Sequence, residues 1–259
     1  MTPKNIPREE DPLSMDTLHG FVINLERRPD RLTALQENLS GTDGLTLSIC
    51  KAIDGRTLYL DDDLLRRIDP WNFSHLSQVK LRSVVACALS HVACWKLIKS
   101  SGHQWHLVLE DDARLINPSF SARLVTLPSL IPPDAEIVWL NEYEAPPIGN
   151  RLYRGLKHLG LRSRRFRHGA LEKLSNELGA DLIPVKFKRW RPLREKSTEA
   201  YLITPRFATK LTEAIENHLG AIDEHMRGTI ARLDSTAYEL SYPLFRQADT
   251  TDTDIQINE

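Results

Sequence analysis

Three adjacent carboxylates, Glu110, Asp111 and Asp112, follow the apolar run Leu107-Val108-Leu109 with nothing between. Side by side at a strand end, they repel one another unless a cation relieves them. A ligand set made only of oxygens suits a hard ion such as Mg²⁺ or Mn²⁺. Side chains two apart on a strand point the same way, so Glu110 and Asp112 could share that ion. An exposed acidic turn capping the next element would read the same. Asn24 lies in another apolar run, residues 20–25. Ligands of open α/β sheets gather at such strand ends, although an asparagine there can also stabilise a turn. Arg27, Arg28 and Arg31 come next, and the guanidinium fork suits phosphate oxygens. Three arginines in so short a stretch are not all expected to face inward, so at least one reads as a solvated helix start. His91 is either a hydrogen-bonded core histidine or a site residue, and Asp54 either binds a ligand or makes the Asp-Gly turn.

Elements to carry these residues can be traced along the chain. Residues 20–25 read as a buried strand, and Pro29 and Asp30 open a helix with Leu32, Leu35 and Leu39 on one face. Residues 45–50 are a second strand, closed by Asp54-Gly55. Residues 61–68 are a short helix with an acidic first turn and Arg66 and Arg67 in its last, which suits the helix dipole. The strongest helix pattern covers 83–99, where Val84, Ala88, His91, Trp95 and Ile98 form one stripe. Residues 105–109, 136–140 and 201–203 are further strands. Thr204 caps a helix that begins at Pro205. Strands alternating with helices predict an α/β fold with a largely parallel sheet.

Composition sets the frame. The 259 residues carry 34 Lys+Arg against 35 Asp+Glu and are 41% hydrophobic, which excludes disordered, collagen-like and disulfide-scaffold classes. Cys50, Cys87 and Cys94 are an odd count with no Cys-x-x-Cys pair, which favours a reducing compartment. Cys87 and Cys94 on the helix read as buried, inert thiols. The first twenty residues have no apolar core of the kind a signal peptide needs. Residues 83–95 are the longest charge-free apolar stretch, at thirteen residues, where a membrane span needs about 18. A cytoplasmic protein is therefore expected, with room for peripheral attachment to a membrane.

The net charge of −1 hides a division. Residues 150–196 hold 14 basic and 4 acidic side chains, a net +10 that leaves the rest of the chain at −11. Phe166, Phe187 and Trp190 lie among the basic residues. This segment reads either as a solvated face or as a surface for an anionic partner such as a phosphorylated glycolipid or an acidic membrane. Nucleic acid is not expected.

Several segments, in order, resemble one family. Phe21-Val22-Ile23-Asn24-Leu25-Glu26-Arg27-Arg28-Pro29-Asp30-Arg31 resembles the opening of glycosyltransferase family 25, the bacterial lipooligosaccharide glycosyltransferases related to the collagen galactosyltransferases. Ala52-Ile53-Asp54-Gly55 is similar to its next landmark. Cys87-Ala88-Leu89-Ser90-His91 with Trp95 resembles its central helix motif, and Leu107 to Ala113 its metal-site strand. Ala200-Tyr201-Leu202-Ile203-Thr204, Ile222-Asp223 and Tyr242-Pro243 to Gln247 resemble its later landmarks. The usual Gly-Glu-x-Gly before the helix cysteine reads Ser83-Val84-Val85-Ala86 here.

The resemblance implies a GT-A fold in one catalytic domain over 18–248, between a loose N-terminus (1–17) and an acidic tail (249–259). It also implies a UDP-galactose or UDP-glucose donor, a Mn²⁺ or Mg²⁺ ion and inversion at the anomeric carbon. The acceptor would be a hydroxyl of a cell-surface glycan or glycolipid. In this reading Asp112, helped by Glu110, holds the metal, and Asp111 lies with the donor. Asn24, Arg27, Arg31, Asp54, Ser90 and His91 bind substrate, with Arg31 the first choice for the diphosphate. Asp223, at a family landmark, is the catalytic base, with Glu142 and Glu199 as rivals.

Overall fold

The apolar runs become strands covered on both faces. Strands β1 (Leu18–Asn24), β2 (Leu45–Lys51), β3 (His106–Glu110), β5 (Ile137–Trp139), β6 (Phe187–Arg189), β7 (Ala200–Ile203) and β8 (Ala237–Leu240) form a seven-stranded sheet in the order β2-β1-β3-β7-β5-β8-β6. Strands β4 (Ala113–Leu115) and β9 (Phe245–Gln247) pair separately. The structure, a computed structural model, describes residues 17–68, 73–116, 118–141, 185–191, 197–216 and 218–248.

β1 runs parallel to β2 and β3, and β5 parallel to β8. β7 is antiparallel to both of its neighbours, and β6 is antiparallel to β8. Five of the seven strands therefore share a direction, so the fold is mixed α/β with a mostly parallel sheet. Residues 201–203 are a strand, as their apolar run predicts, but nothing in that run encodes its reversed direction.

Alternation along each strand divides the core. Ile23, Val108, Trp139, Tyr201 and Ile203 face α3 (Gln78–Lys99), α5 (Pro205–Ile215) and α6 (Ile222–Arg232). Val22, Leu107, Leu109, Val138 and Leu202 face α1 (Pro29–Asn38) and α4 (Ser121–Leu130). Strands buried on both sides read as continuous apolar runs, which explains why β1, β3, β5 and β7 are visible in the sequence. Strands β4, β6 and β9, each three residues long, are not, and neither is α4.

The helix boundaries follow from caps. Ser77 accepts from the Lys80 N–H and starts α3 one and a half turns before the predicted residue 83. Thr204 accepts from the Phe207 N–H and Pro205 opens α5, as predicted. Asp61 caps α2 (Asp62–Arg67). The buried side of α3 is wider than the predicted stripe and adds Leu81, Val85, Ala86, Ser90, Val92 and Cys94. Its 22 residues are long and apolar enough to cross a bilayer. In this fold α3 is the core helix, packed against α5, α6, β1 and β2.

The expected terminal segments lie almost wholly outside the described residues, and so does the basic segment except for residues 185–191. Within that exception, Trp190 is buried against Trp139, with ring centroids 5.8 Å apart. It belongs to the core and not to a basic surface.

Candidate active site

The carboxyl ends of β1, β2 and β3 open on one cleft of about 530 Å³. Its lining includes Arg27, Arg28 and Arg31 after β1, Asp54, Gly55 and Arg56 after β2, and Glu110, Asp111 and Asp112 after β3. The near half of α3 adds Ser83, Ala86, Cys87, Ser90 and His91, and β9 adds Gln247. All three arginines, Arg27 and Arg28 before α1 and Arg31 within it, line the cleft, contrary to the expectation that at least one would turn to solvent.

Strand alternation separates the acidic triplet. Glu110 is the last residue of β3 and shares the face of Val108 and Tyr201, toward α3. There His91 Nε2 lies 3.2 Å from Glu110 Oε1, and the Thr198 hydroxyl donates to the same oxygen. Asp111 accepts from Asn24 Nδ2 at 2.8 Å, from the Leu25 N–H at 3.4 Å and from Arg31 at 3.3 Å. Asp112, in the turn after the strand, accepts from Gln247 Nε2 at 3.0 Å and lies 3.8 Å from Arg31. Glu110 and Asp112 line one cleft but take their hydrogen bonds from different groups, His91 and Thr198 for Glu110 and Gln247 for Asp112.

Burial sets the charges. Asp112 is pushed up to about 6 by burial and then by the negative charge of Glu110. Burial also raises Asp111 against the pull of Asn24 and Arg31. Burial pushes Glu110 up as well, but the hydrogen bond from His91, the Thr198 hydroxyl and the Arg31 guanidinium outweigh it. Its carboxyl ends below the ordinary value.

This arrangement suits a hard cation. Asp112 Oδ1 is buried and has no hydrogen-bond partner among the described residues. An ionised carboxylate oxygen left alone in a buried site is costly. A divalent ion there would satisfy that oxygen and lower the repulsion from Glu110. Cys87, His91 and Glu110 also bring ligand atoms within 4.8 Å of one another. That triad is a poorer centre. Burial, then the charges of Glu110, Asp223, Asp112 and Glu199, push the Cys87 thiol well above its ordinary value, and metals bind the thiolate. The same shift leaves Cys87 unsuited to nucleophilic chemistry, as expected.

The remaining predicted residues divide. Arg27 pairs with Asp54 at 2.7 Å, and Asp54 also accepts from the Arg56 N–H at 2.9 Å. Asp54 therefore makes the turn and faces the cleft. Ser90 donates to the Ala86 carbonyl and accepts from the Ile53 N–H at 2.8 Å, tying α3 to that loop. Asn24 is buried and braces its loop through Asp111 and the Arg28 carbonyl. It is not among the lining residues. Asp223, in the first turn of α6, is exposed and outside the lining, although its charge reaches the Cys87 thiol. Glu199 is buried, accepts from Asn141 at 2.7 Å and is pushed up to about 8 by burial and then by Glu110. Glu142 lies outside the described residues.

Thr198, Tyr201 and Gln247 join the site without being candidates from the sequence. Tyr201 carries one signal, since a phenol inside an apolar strand needs a polar partner.

Gly55 lets α3 approach the Asp54 turn. A Cβ on Gly55 would lie 2.7 Å from Ser83 Cα and 2.9 Å from Ser83 N, both backbone atoms. Gly55→Ala is expected to destabilise by about 1 to 3 kcal/mol through overpacking. Urea unfolding that leaves the midpoint unchanged would count against this contact.

The profile described as glycosyltransferase family 25 (LPS biosynthesis protein) matches residues 17–226. A glycosyltransferase 25 family member of Aedes aegypti is 34% identical over 119 residues, 42% of this chain and 18% of that protein. Putative glycosyltransferase R655 of Acanthamoeba polyphaga mimivirus is 30% identical over 126 residues, 48% of this chain and 37% of that protein. The matched stretch thus spans well under half the length of these relatives. Among solved structures, apo-form glycosyltransferase GlyE of Streptococcus pneumoniae TIGR4 aligns with a TM-score of 0.44 and 8% identity, covering 92% of this chain and 55% of that one. Glucosyl-3-phosphoglycerate synthase of Mycobacterium tuberculosis, in complex with Mn²⁺, UDP and glucosyl-3-phosphoglycerate, aligns with a TM-score of 0.40 and 15% identity, covering 91% and 73%.

Proposed function

The chain belongs to glycosyltransferase family 25, and from that premise we propose that it moves a hexose, galactose or glucose, from a UDP-sugar to a hydroxyl of a cell-surface glycan such as lipooligosaccharide. The transfer inverts the anomeric carbon and depends on Mn²⁺ or Mg²⁺, on a GT-A framework. One observation carries the reading. Asp112 Oδ1, buried and without a hydrogen-bond partner among the described residues, and the ionised Glu110 stand in a cleft that is also lined by Arg27, Arg28, Arg31 and Arg56. Carboxylates for a cation and guanidinium groups for phosphates meet there, and together they suit a metal-bound diphosphate.

Asp112 and Glu110 would hold the ion, which when bound supplies positive charge against the leaving diphosphate. Arg31 spans Asp111 and Asp112 and offers its fork to the same oxygens. Arg27, held by Asp54, and Arg28 bind further along the diphosphate. Asp111 keeps the β1 loop against the end of β3. Asp223 takes the proton of the acceptor hydroxyl. It is exposed and its charge reaches the Cys87 thiol in the cleft wall, whereas Glu199, pushed up to about 8, carries its own proton at neutral pH. The basic segment 150–196 draws an anionic glycolipid or membrane surface toward the acceptor side, which suits a cytoplasmic enzyme on the inner membrane face.

The test is UDP release from UDP-galactose and UDP-glucose with and without Mn²⁺. Release that needs the metal is expected. If no UDP-sugar is bound or turned over with Mn²⁺ present, the reading fails. UDP binding without transfer to any acceptor would instead favour an impaired relative. The altered residues Ser83 and Ala86, which line the cleft, give that outcome its motive.

A further inference from the structure

Behind Glu110 lies a chain of buried polar groups that meets the cleft wall only at His91. Trp95 and His91 stand one turn apart on the sheet side of α3. Tyr201 reaches them from β7, whose register sets it opposite Val108, on the same sheet face as Glu110. Trp95 Nε1 donates to Tyr201 Oη at 3.0 Å, Tyr201 Oη lies 2.9 Å from His91 Nδ1, and His91 Nε2 lies 3.2 Å from Glu110 Oε1. Trp95, His91 and Tyr201 are each 0% exposed, so bulk water offers them no alternative partner.

One arrangement of protons satisfies every group. The indole N–H can only donate, so Tyr201 accepts from it. Among the described residues the Tyr201 hydroxyl has one other neighbour within hydrogen-bond distance, His91 Nδ1, so its proton goes there. Nδ1 is then the acceptor, and the imidazole proton is on Nε2. That N–H points at Glu110 Oε1, which also accepts from Thr198. In the reverse tautomer the Tyr201 proton would be buried with no acceptor, and Nε2 would present a lone pair to a carboxylate.

We propose that Trp95 and Tyr201 fix His91 as the Nε2–H tautomer, and that His91 thereby acts as the positioning residue that aims the Glu110 carboxylate into the cleft. Two consequences follow from the geometry. The Nε2 nitrogen is closed to soft metals, because its lone-pair site carries a proton. Glu110 keeps Oε1 engaged by two donors and leaves Oε2 for the cation. This role rests on the reading of Glu110 as a metal ligand, whereas the tautomer does not.

The test begins with the metal-free wild-type protein, labelled with ¹⁵N-histidine. Long-range ¹H–¹⁵N correlations assign each of the nine histidines to a tautomer, and His91 is identified by the signal lost in His91→Gln. A protonated Nε2 and bare Nδ1 at His91 are expected, with the preference lost in Tyr201→Phe. A protonated Nδ1, or averaging between tautomers in the wild type, overturns the proposal whether or not any sugar is transferred. The positioning role is read separately from Mn²⁺ affinity. The Gln amide nitrogen sits where Nε2 sits, so His91→Gln is expected to stay within about fivefold of wild type. His91→Leu should lose about 10- to 100-fold, the usual cost of removing a group that orients a ligand. Equal losses in both variants at matched thermal stability would overturn the positioning role.

Discussion

Asp112→Asn is expected to lower metal-dependent UDP release by about 100- to 1,000-fold, the cost of losing one preorganised electrostatic contact to the developing charge. The same change is expected to make the metal-free protein more stable. Both effects have one cause. Asp112 is 9% exposed and stands close to Glu110, so burial and that negative charge raise its folded pKa from 3.8 to about 6. The folded value lies above the unfolded one. The penalty is therefore absent below about pH 4, grows between about pH 4 and 6, and is complete above that. At pH 8 the amide should gain about 1 to 3 kcal/mol, since each pKa unit is worth about 1.4 kcal/mol. Thermal melts at pH 4 and pH 8, without metal, check the sign. A variant less stable than wild type at pH 8, or one with full turnover, would remove Asp112 from this role.

Arg31→Met should act in the opposite direction on stability. The guanidinium lies 3.3 Å from Asp111 Oδ1 and 3.8 Å from Asp112 Oδ2, and all three side chains are buried. Removing one partner from a buried ion pair costs about 3 to 5 kcal/mol, because the remaining charge has no compensation. A loss of about 3 kcal/mol is expected here, or a fall of about 6 to 12 °C in Tm for a domain of this size. Arg31→Lys keeps the charge but not the fork, so it should fall between the two. The double variant Arg31→Met with Asp112→Asn should lose less than the sum of the singles, since the amide needs no counter-ion. Strict additivity would show that the two side chains do not interact. Turnover should fall with Arg31→Met as well, because the same guanidinium lines the cleft.

Both residues are legible in the amino-acid sequence. An acidic triplet directly after an apolar run, and arginines at the head of the first helix, are local patterns. Local patterns survive folding because strand alternation and helical period depend only on near neighbours. The strands β1, β3, β5 and β7 are visible for the same reason, each being covered on both faces. The edges of the sheet differ. β2 is legible as residues 45–50 although only Cys50 in it is buried, whereas β6, only three residues long, is not.

By itself, the sequence determined the α/β class, the order of the main elements, the family, and the residue types that stand at the ends of β1 and β3. It left open what each of those residues does. His91 reads equally as core or as site, and the structure makes it both, since it is wholly buried and still forms part of the cleft wall. Asp54 reads as turn former or ligand, and it faces the cleft while making the turn. Only the tertiary structure decided that Asp111 and Asp112 share Arg31 while Glu110 belongs to His91. It alone set the reversed direction of β7, which delivers Tyr201 to α3. The hydrogen-bond partners Thr198, Tyr201 and Gln247 lie 88 to 135 residues along the chain from the groups they bind. Hydrogen bonding and desolvation depend on separation in space, and chain spacing carries no record of that separation once it exceeds a turn or a strand.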